Sequence, residues 1–285
     1  MPKRQTNDLQ AFGAHTPRGA LAQVIRMSQR AREGWACRRA AYFLRAVGIS
    51  MLRGRPADVE TLGARMRLYP ADNVSEKRML FTPQYFDSHE LAYLEKRITP
   101  GFVFVDVGAN VGGYSLFVAA RAGAGARILA VEPQPEIHER LVYNIRQNDF
   151  ATIKTLECAV ADFDGDVTMF LDARNRGDSS IRLVPNFDGG RLTVRARKLA
   201  DILDGEGLDR IDAMKLDCEG AEDLILEPLL REGPRHLLPA AMIVEHMPER
   251  WSIDLSALIE AQGYRAVLRT KHNLIYERQD TEPKT

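Results

Sequence analysis

The sequence predicts an α/β protein of the doubly wound class, with a mostly parallel seven-stranded sheet covered by helices on both faces. From residue 102 onward, short runs of β-branched and aromatic residues alternate with helix-prone segments, which is typical of βαβ units. The first run, 102–107, leads into a glycine-rich turn and another helix-prone segment. The 285 residues are enough to bury one large core with an appendage. We therefore expect ligands to bind at the carboxyl ends of the strands.

The glycine-rich turn predicts a cationic, nucleotide-like ligand. It reads Gly108-Ala-Asn110-Val-Gly112-Gly113, whereas dinucleotide-binding turns read Gly-x-Gly-x-x-Gly and hold pyrophosphate on backbone N–H groups. Asn110 stands where the second glycine is expected, and Asp106 places at the strand end a carboxylate that would repel phosphates. S-adenosylmethionine carries a sulfonium and an ammonium in place of phosphates. Asp106, Gly108, Asn110 and Gly112 are therefore candidate residues for binding that cofactor.

Two further strand ends complete the predicted cofactor site. The run 127–131 ends in Glu132, 24 residues after the first glycine of the turn, a spacing that suits a carboxylate hydrogen-bonded to ribose hydroxyls. A third apolar segment, 153–160, is expected to form the next strand. Its end, from Val160 to Asp162, is expected to flank the adenine.

An inserted β-hairpin is predicted within this alternation. Residues 167–171 and 192–196 alternate like two antiparallel strands. The polar connection at 174–180 lies near the ligand-binding end and is a candidate substrate loop. The remaining strands are expected at 211–216, 241–244 and in the region 264–277.

A second acidic motif follows a later strand. Asp217 ends that strand, and Glu219 and Glu222 follow in the turn and at the start of a helix. Carboxylates at this strand end can hold a substrate hydroxyl, take its proton or bind a cation, because they lie across the crevice from the glycine turn. A favourable interaction with the helix dipole explains Glu222 well, Glu219 in part and Asp217 poorly.

The next strand end carries Glu245 and His246. Histidine has the ordinary pKa best suited to general-base chemistry near neutral pH. We therefore hypothesise that Asp217, with Glu219 or His246, positions and deprotonates a hydroxyl acceptor.

The amino-terminal region differs from the rest of the chain in charge. The whole chain has 39 basic and 39 acidic residues, but residues 1–60 contain eleven basic residues and four acidic ones. Residues 1–18 are polar and are expected to form a loose tail. Residues 19–53 are helix-prone, with Gly34 interrupting the pattern. They suit either an amphipathic helix on an anionic membrane surface or a helix packed on the catalytic domain or a second subunit, and packing is favoured.

We therefore divide the chain into three parts. Residues 1–60 form a basic helical extension, 61–99 a linker with a hairpin and a helix that caps the catalytic domain, and 100–285 the catalytic domain itself. The three cysteines show no paired spacing, so neither a disulfide framework nor a zinc site is expected. No apolar run approaches the roughly 20 residues that span a bilayer, and no secretion signal is recognised. A cytoplasmic protein that does not bind nucleic acid is expected.

These segments resemble the FkbM family of S-adenosylmethionine-dependent methyltransferases over about residues 80–280. The resemblance implies a class I methyltransferase, Rossmann-like sheet and O-methylation of a hydroxyl on a sugar, glycolipid or natural product. It also implies that Asp106, Gly108 and Asn110 face the methionine part of the cofactor, Glu132 the ribose, and residues 160–162 the adenine. The matching segments are 106–112, 132–135, Asn144, Asn148, 159–162, Ser179-Ser180, 215–222, 243–245 and Gly263-Tyr264.

Three other functions are weighed against this one. An NAD-dependent oxidoreductase is disfavoured by Asp106 and by the missing second glycine. A protein that binds S-adenosylmethionine without catalysis would have less reason to keep acids at four strand ends. A metal-assisted methyltransferase would use Asp217 and Glu219 as ligands for a hard cation, although no metal site is predicted. The acceptor is expected to be a small molecule or a carbohydrate, and a homo-oligomer is left open.

Overall fold

A computed structural model describes residues 10–150, 152–172, 175, 177, 179–181 and 190–279. Short 3₁₀ turns lie at Pro83–Tyr85 and Arg235–Leu237. The helices are α1 (Gly19–Gln29), α2 (Trp35–Leu52), α3 (Val74–Phe81), α4 (Ser88–Arg97), α5 (Gly113–Ala122), α6 (Pro135–Arg146), α7 (Leu199–Gly205), α8 (Glu222–Glu232) and α9 (Leu255–Ala261). The strands are β1 (Ala57–Thr61), β2 (Ala64–Leu68), β3 (Val103–Val107), β4 (Arg127–Val131), β5 (Ile153–Leu156), β6 (Ala159–Ala161), β7 (Gly165–Leu171), β8 (Ser179–Ser180), β9 (Arg191–Lys198), β10 (Ala213–Leu216), β11 (Ala241–Glu245), β12 (Tyr264–Arg269) and β13 (Asn273–Arg278).

The central sheet has seven strands in the order β12-β13-β11-β10-β3-β4-β5. Neighbouring strands from β11 to β5 are parallel, and β13 runs antiparallel to both β11 and β12. Helices follow β3, β4, β10 and β11 and bring the chain back to start the next strand. This arrangement confirms the predicted doubly wound, mostly parallel seven-stranded sheet.

A second sheet of four strands, in the order β6-β9-β7-β8, contains the inserted hairpin. The predicted antiparallel pair is confirmed, with Val167 opposite Val194. The prediction of a single third strand over 153–160 is wrong. Its first part forms β5 in the central sheet, whereas Ala159 and Ala161 lie in β6, which pairs with β9 and packs in a separate small core. Of the predicted substrate loop, residues 174, 176 and 178 lie outside the described residues.

The two faces of the central sheet contribute to two separate cores because side chains alternate along a strand. Phe102 and Phe104 lie in one core, and Val103 and Val105 lie in the other. The same alternation on β10 and β11 assigns Ala213 and Ile243 to the first core. The same alternation therefore determines on which face of the sheet the charged residues further along these strands lie.

Three charged residues continue the first face toward the carboxyl ends of the strands. Asp106 follows Phe104 on β3, Lys215 follows Ala213 on β10, and Glu245 follows Ile243 on β11, each two residues later. Lys215 is the register partner of both Asp106 and Ile243. The sheet therefore gathers two acids and one ammonium on one face of three adjacent strands.

The β1–β2 hairpin docks on α6 through two asparagines. The Asn144 side chain accepts a hydrogen bond from the Arg67 amide at 2.7 Å and donates one to the Val111 carbonyl at 3.1 Å. One turn later, Asn148 exchanges two hydrogen bonds with the backbone of Arg65, at 2.9 and 3.0 Å. The hairpin is thus held against the helix that follows the Glu132 strand end.

The expected loose tail at residues 1–18 is corrected for residues 10–15. Asp58 and Arg67 form a buried ion pair across the hairpin, with 2.7 Å between Oδ1 and Nε. Asp58 also accepts hydrogen bonds from the Gly13 and His15 amides, and Arg67 donates to the carbonyls of Gln10 and Ala11. A buried charge needs such partners, so the pair fixes this part of the chain. Residues 1–9 lie outside the described residues.

The two amino-terminal helices, α1 and α2, pack on each other and on α3. Gly48 of α2 lies so close to the Phe81 ring that an added Cβ would be 2.2 Å from a ring carbon. Within the described residues, neither these helices nor any other is long and apolar enough to cross a membrane. The boundary predicted at residue 60 falls within β1, and the three-part division of the chain stays a prediction.

Replacing Asn144 with alanine should lower the free energy of unfolding by about 2–4 kcal/mol, because two buried backbone groups lose their partners. Urea denaturation would measure the change. Asn148→Ala is the matched control, since it removes similar bonds from a more exposed position and should cost about 1 kcal/mol or less. Equal losses in the two variants would contradict the claim that Asn144 anchors the hairpin.

Candidate active site

The site begins where the glycine turn touches the acidic turn. Gly108 has a φ of 78°, and a Cβ built there would lie 2.0 Å from the carbonyl oxygen of Asp217. In addition, the Asp217 amide donates a hydrogen bond to the Val107 carbonyl at 3.0 Å. Only glycine permits both this backbone conformation and this close approach. The ends of β3 and β10 are therefore held together as the floor of one site.

A partly open cavity lies above this contact. Its walls come from the ends of the central strands, from the small sheet and from the start of α3. Among the predicted site residues, those that line it are Gly108, Asn110, Glu132, Val160, Asp217 and Glu219.

Four predicted site residues are not among the described residues that line the cavity: Asp106, Gly112, Asp162 and His246. Asp106 lies beneath the glycine turn, where its Oδ2 accepts hydrogen bonds from the Ser115 amide at 3.1 Å and the Ser115 hydroxyl at 2.6 Å. Its buried Oδ1 has no hydrogen-bond partner in the described part of the chain. Burial raises the pKa of Asp106, and the Lys215 ammonium partly offsets this effect.

Gly112, Asp162 and His246 lie in three different environments outside the cavity lining. Gly112 is the N-cap of α5 with a φ of 95°, and a Cβ there would be 2.8 Å from a methyl of Leu141. Asp162 is exposed just after β6. The His246 ring packs edge-on against Trp251, with 5.4 Å between centroids. Burial and the nearby Arg269 guanidinium lower the pKa of His246.

Glu132 and Asn110 form one wall. The Glu132 carboxylate accepts hydrogen bonds from the amides of Asn110 and Gln134, both at 2.9 Å, so each oxygen keeps a further lone pair. Burial raises the pKa of Glu132 to about 7. Asn110 has a φ of 50°, which asparagine tolerates better than most residues. Its Oδ1 accepts a hydrogen bond from the Asn73 side chain at 2.8 Å.

Asp217 on the opposite wall is paired with a buried lysine. The Lys215 ammonium lies 2.6 Å from Asp217 Oδ2 and 4.7 Å from the centroid of the Tyr114 ring. Burial alone would raise the pKa of Asp217, but the ammonium reverses the effect and lowers it. Asp217 is therefore ionised at neutral pH and still partly open to the cavity.

Glu219 and Glu245 approach Asp217 from two other elements. One carboxylate oxygen from each of the three residues lies within 4.8 Å of the others. Glu219 has a φ of 53°, and its carbonyl accepts hydrogen bonds from Ser180 and Arg250, both at 3.0 Å. Burial and the charges of Asp217 and Glu219 raise the pKa of Glu245 to about 11. Glu245 is therefore protonated at neutral pH beside the ionised Asp217.

Glu222 has the structural role that the helix-dipole argument favours. At the start of α8 its carboxylate accepts hydrogen bonds from the amides of Cys218 and Gly220 and from the Trp251 indole, at 2.9, 3.3 and 3.0 Å. These bonds fix the turn that presents Asp217 and Glu219. Because its carboxylate is occupied by these three hydrogen bonds within the protein, Glu222 stabilises the site structurally.

Some residues around the site were not predicted from the sequence. Ser75 lines the cavity from α3, and Asn73 at the N-cap of that helix holds Asn110. No local signal links this segment to the glycine turn. Lys215 and Glu245 did carry a signal, because each falls on the strand face that Asp106 shares.

Comparison with known proteins identifies the family. Residues 106–266, more than half of the chain, match the family described as Methyltransferase FkbM domain. The chain belongs to the FkbM methyltransferase family. It is therefore an S-adenosylmethionine-dependent methyltransferase, and its sheet is the class I methyltransferase sheet that the sequence resemblance implied.

Two curated relatives are similar to this FkbM methyltransferase. Methyltransferase sdnD of Sordaria araneosa is 30% identical over 193 residues, which cover 56% of this chain and 72% of the relative. AMB antimetabolite synthetase AmbE of Pseudomonas aeruginosa (strain PAO1) is 29% identical over 164 residues, which cover 45% of this chain and only 8% of that protein.

Solved structures are similar at the level of the fold. The METTL16 MTase domain has a TM-score of 0.47 at 16% identity and covers 91% of each chain. Aeropyrum pernix fibrillarin, solved with natively bound S-adenosyl-L-methionine, has a TM-score of 0.40 at 11% identity. That comparison covers 67% of this chain and 74% of the other.

The residues of this FkbM methyltransferase fit a cationic cofactor. Among the described residues that line the cavity there are three carboxylates, on Glu132, Asp217 and Glu219, and no lysine or arginine. Glu132 retains free lone pairs for hydroxyl donors, and the unpartnered Asp106 oxygen lies below the same turn. Phosphates would be repelled here, whereas a sulfonium and a ribose are compatible with these acceptors.

Replacing Glu132 with glutamine should weaken S-adenosylhomocysteine binding by about 10- to 100-fold, because hydrogen bonds to a charged group contribute about 1.5–3 kcal/mol. Because the pKa of Glu132 is raised to about 7, the carboxyl loses its proton as the pH rises through that value. Wild-type affinity should therefore increase with pH, and the affinity of the variant should not. Isothermal titration calorimetry measures both.

Glu157→Gln is the control for this prediction. Glu157 follows the adjacent strand β5 but is exposed, so its variant should bind like the wild type and keep the pH dependence. A Glu132→Gln variant with unchanged affinity, or with the wild-type pH dependence, would show that Glu132 does not contact the cofactor.

Proposed function

We propose that this FkbM methyltransferase transfers a methyl group to a hydroxyl oxygen of a sugar, a glycolipid or another natural product. The observation that supports this most is the position of the Asp217 and Glu219 carboxylates, which share one cavity with Glu132 on the cofactor side. A hydroxyl is the kind of acceptor that hydrogen-bonds to an ionised carboxylate. The name of the relative methyltransferase sdnD supports methyl transfer and does not specify the acceptor.

S-adenosylmethionine, when bound, supplies an electrophilic methyl group. The protein's part is to align the acceptor oxygen, and alignment accounts for most of the rate in such displacements. Gly108, Asn110 and Glu132 hold the cofactor side. Asp217 accepts the hydrogen bond of the acceptor hydroxyl and removes its proton as the oxygen attacks, with Glu219 beside it.

Asp217 is suited to this role by its charge state. Lys215 keeps it ionised, so it is available as an acceptor over the whole neutral range. A lowered pKa makes it a weak base, so its larger contribution is to orient the hydroxyl. We assign no step to His246, whose ring packs on Trp251.

A screen for the acceptor tests the reaction class. The protein is incubated with S-adenosylmethionine carrying an isotopically labelled methyl group and with monosaccharides, glycolipid extracts and hydroxylated natural products. We expect the label in a product whose methyl is attached to oxygen, as determined by NMR. Labelling only of nitrogen or carbon would overturn the O-methylation proposal. Cofactor binding without any turnover across the panel would favour a non-catalytic protein.

With the acceptor in hand, Asp217→Asn should lower kcat by on the order of 10²–10⁴-fold, because it removes both the charge that orients the hydroxyl and the proton acceptor, and keeps the shape of the side chain. Affinity for S-adenosylhomocysteine should stay close to that of the wild type. His246→Gln is the control at the neighbouring strand end and should turn over normally. Full turnover by Asp217→Asn, or a loss confined to His246→Gln, would transfer the role of base away from Asp217.

A metal-assisted reaction is the second candidate, since Asp217, Glu219 and Glu245 could together hold a cation. Their oxygens lie within 4.8 Å of one another, and magnesium prefers oxygen ligands. A protonated Glu245 that donates a hydrogen bond to Asp217 would satisfy the same group of acids without a metal. We favour the proton, because the Lys215 ammonium, 2.6 Å from Asp217 Oδ2, already supplies a positive charge to this group of acids.

Glu245→Gln separates these two candidates. Glutamine keeps a hydrogen-bond donor but replaces a charged metal ligand with a weaker, neutral one, so we expect nearly full turnover and no effect of a chelator on the wild type. If a chelator abolished turnover, magnesium restored it and Glu245→Gln required more magnesium, the metal-assisted reaction would replace our preferred one. Glu227→Gln, on the outer surface of α8, serves as the control for charge removal.

A further inference from the structure

The outer surface of α2 exposes large apolar side chains that the fold does not use. Of the six most exposed large hydrophobic residues in the described part of the chain, three lie on this helix, and Met27 lies on the adjacent α1. Trp35 is 75% exposed, Phe43 68% and Tyr42 42%. Isolated exposed apolar residues are ordinary, but such a concentration on one helix indicates an interaction surface.

These side chains lie away from the face of α2 that packs on the protein. Ala41, Gly48 and Leu52 are the buried residues of the helix. Trp35 and Tyr42 are seven residues apart and share one side of the helix, about 100° round from Ala41, and Phe43 lies further round. The helix thus has one face for its own fold and a second face, which we call the outer α2 face. It comprises Trp35, Arg38, Arg39, Tyr42 and Phe43.

The outer α2 face is strongly basic. The segment 10–56 contains nine arginines and a single acid, Glu33, and neither α1 nor α2 contains an acidic residue. Arginines alternate with the aromatic rings along the helix. The Arg39 guanidinium lies 5.1 Å from the Trp35 ring centroid, and that of Arg45 lies 4.6 Å from the Tyr42 ring centroid. Cations and amphipathic rings are therefore presented together.

We propose that the outer α2 face binds the surface of an anionic phospholipid bilayer, with Trp35 and Phe43 at the level of the headgroups and Arg38 and Arg39 on the lipid phosphates. Exposed aromatic residues flanked by arginines are the combination that binds such an interface. The proposal concerns attachment at the surface and does not depend on which acceptor is methylated.

Charge decides between this partner and the alternatives. A second copy of the chain would place the same arginine-rich face against itself, and like charges oppose that contact. Duplex nucleic acid would match the charge, but its phosphate backbone gives an exposed phenylalanine and methionine little to contact. An anionic bilayer offers phosphates and an apolar interior at the same surface, so it accommodates both kinds of side chain.

Sedimentation of the full-length protein with vesicles tests the proposal. We expect binding to vesicles of phosphatidylglycerol, none to vesicles of phosphatidylcholine, and weaker binding as salt is added. The double variant Arg38→Gln/Arg39→Gln should lower the partition coefficient by about 10- to 30-fold. Trp35→Ala/Phe43→Ala should also lower it and should unfold like the wild type, because both side chains are exposed. Arg38→Gln/Arg39→Gln should lose at most about 1 kcal/mol of stability, because Arg38 lies 4.9 Å from the Tyr85 ring centroid.

Arg195→Gln/Arg265→Gln is the matched control, since it removes the same charge from exposed positions on the catalytic domain. It should bind phosphatidylglycerol vesicles like the wild type. An equal loss in this control would show that general charge drives the binding and would overturn the proposal. Failure of the wild type to bind, or a dimer in sedimentation velocity that Arg38→Gln/Arg39→Gln dissociates, would overturn it as well.

Discussion

The close contact between Gly108 and the carbonyl of Asp217 is the constraint on which the rest of the site depends. At this point the glycine turn after β3 and the acidic turn after β10 meet with no side chain between them. Any larger residue at 108 would separate the two turns. The contact therefore places Glu132, which follows the next strand outward, and Asp217 on two walls of the same cavity. A methyl donor on the Glu132 wall and an acceptor on the Asp217 wall would face each other across this cavity, as methyl transfer requires.

Alternation along the strands then sets the electrostatics of this site. Asp106, Lys215 and Glu245 share one face of three adjacent strands, and Lys215 pairs with Asp217 just beyond its strand. Burial makes unpaired charge expensive, so the single ammonium and the proton on Glu245 balance the acids around them. Asn110 and Glu219 adopt positive φ values at the same place. Conformations of this kind persist only where surrounding hydrogen bonds hold them, as those from Asn73, Ser180 and Arg250 do here.

Sequence reasoning reached the parts of the protein that local patterns encode. The glycine turn, the acid after β4 and the acidic turn after β10 are contiguous motifs, so their place at the strand ends could be predicted. The third strand was misjudged because an apolar run does not reveal which sheet it joins. The role of α3 was missed because Asn73 meets Asn110 only in the folded chain. His246 was chosen over Glu245 for its pKa, although strand alternation places Glu245 on the face of Lys215.

A crystal structure of the protein with S-adenosylhomocysteine tests the central claim most directly. That claim is that cofactor and acceptor meet between the glycine turn and the acidic turn. We predict the ribose hydroxyls on Glu132, the adenine beside Val160, and the sulfur facing the cluster of Asp217, Glu219 and Glu245. A cofactor bound with its sulfur turned away from that cluster, or bound outside the cavity above Gly108, would contradict the account.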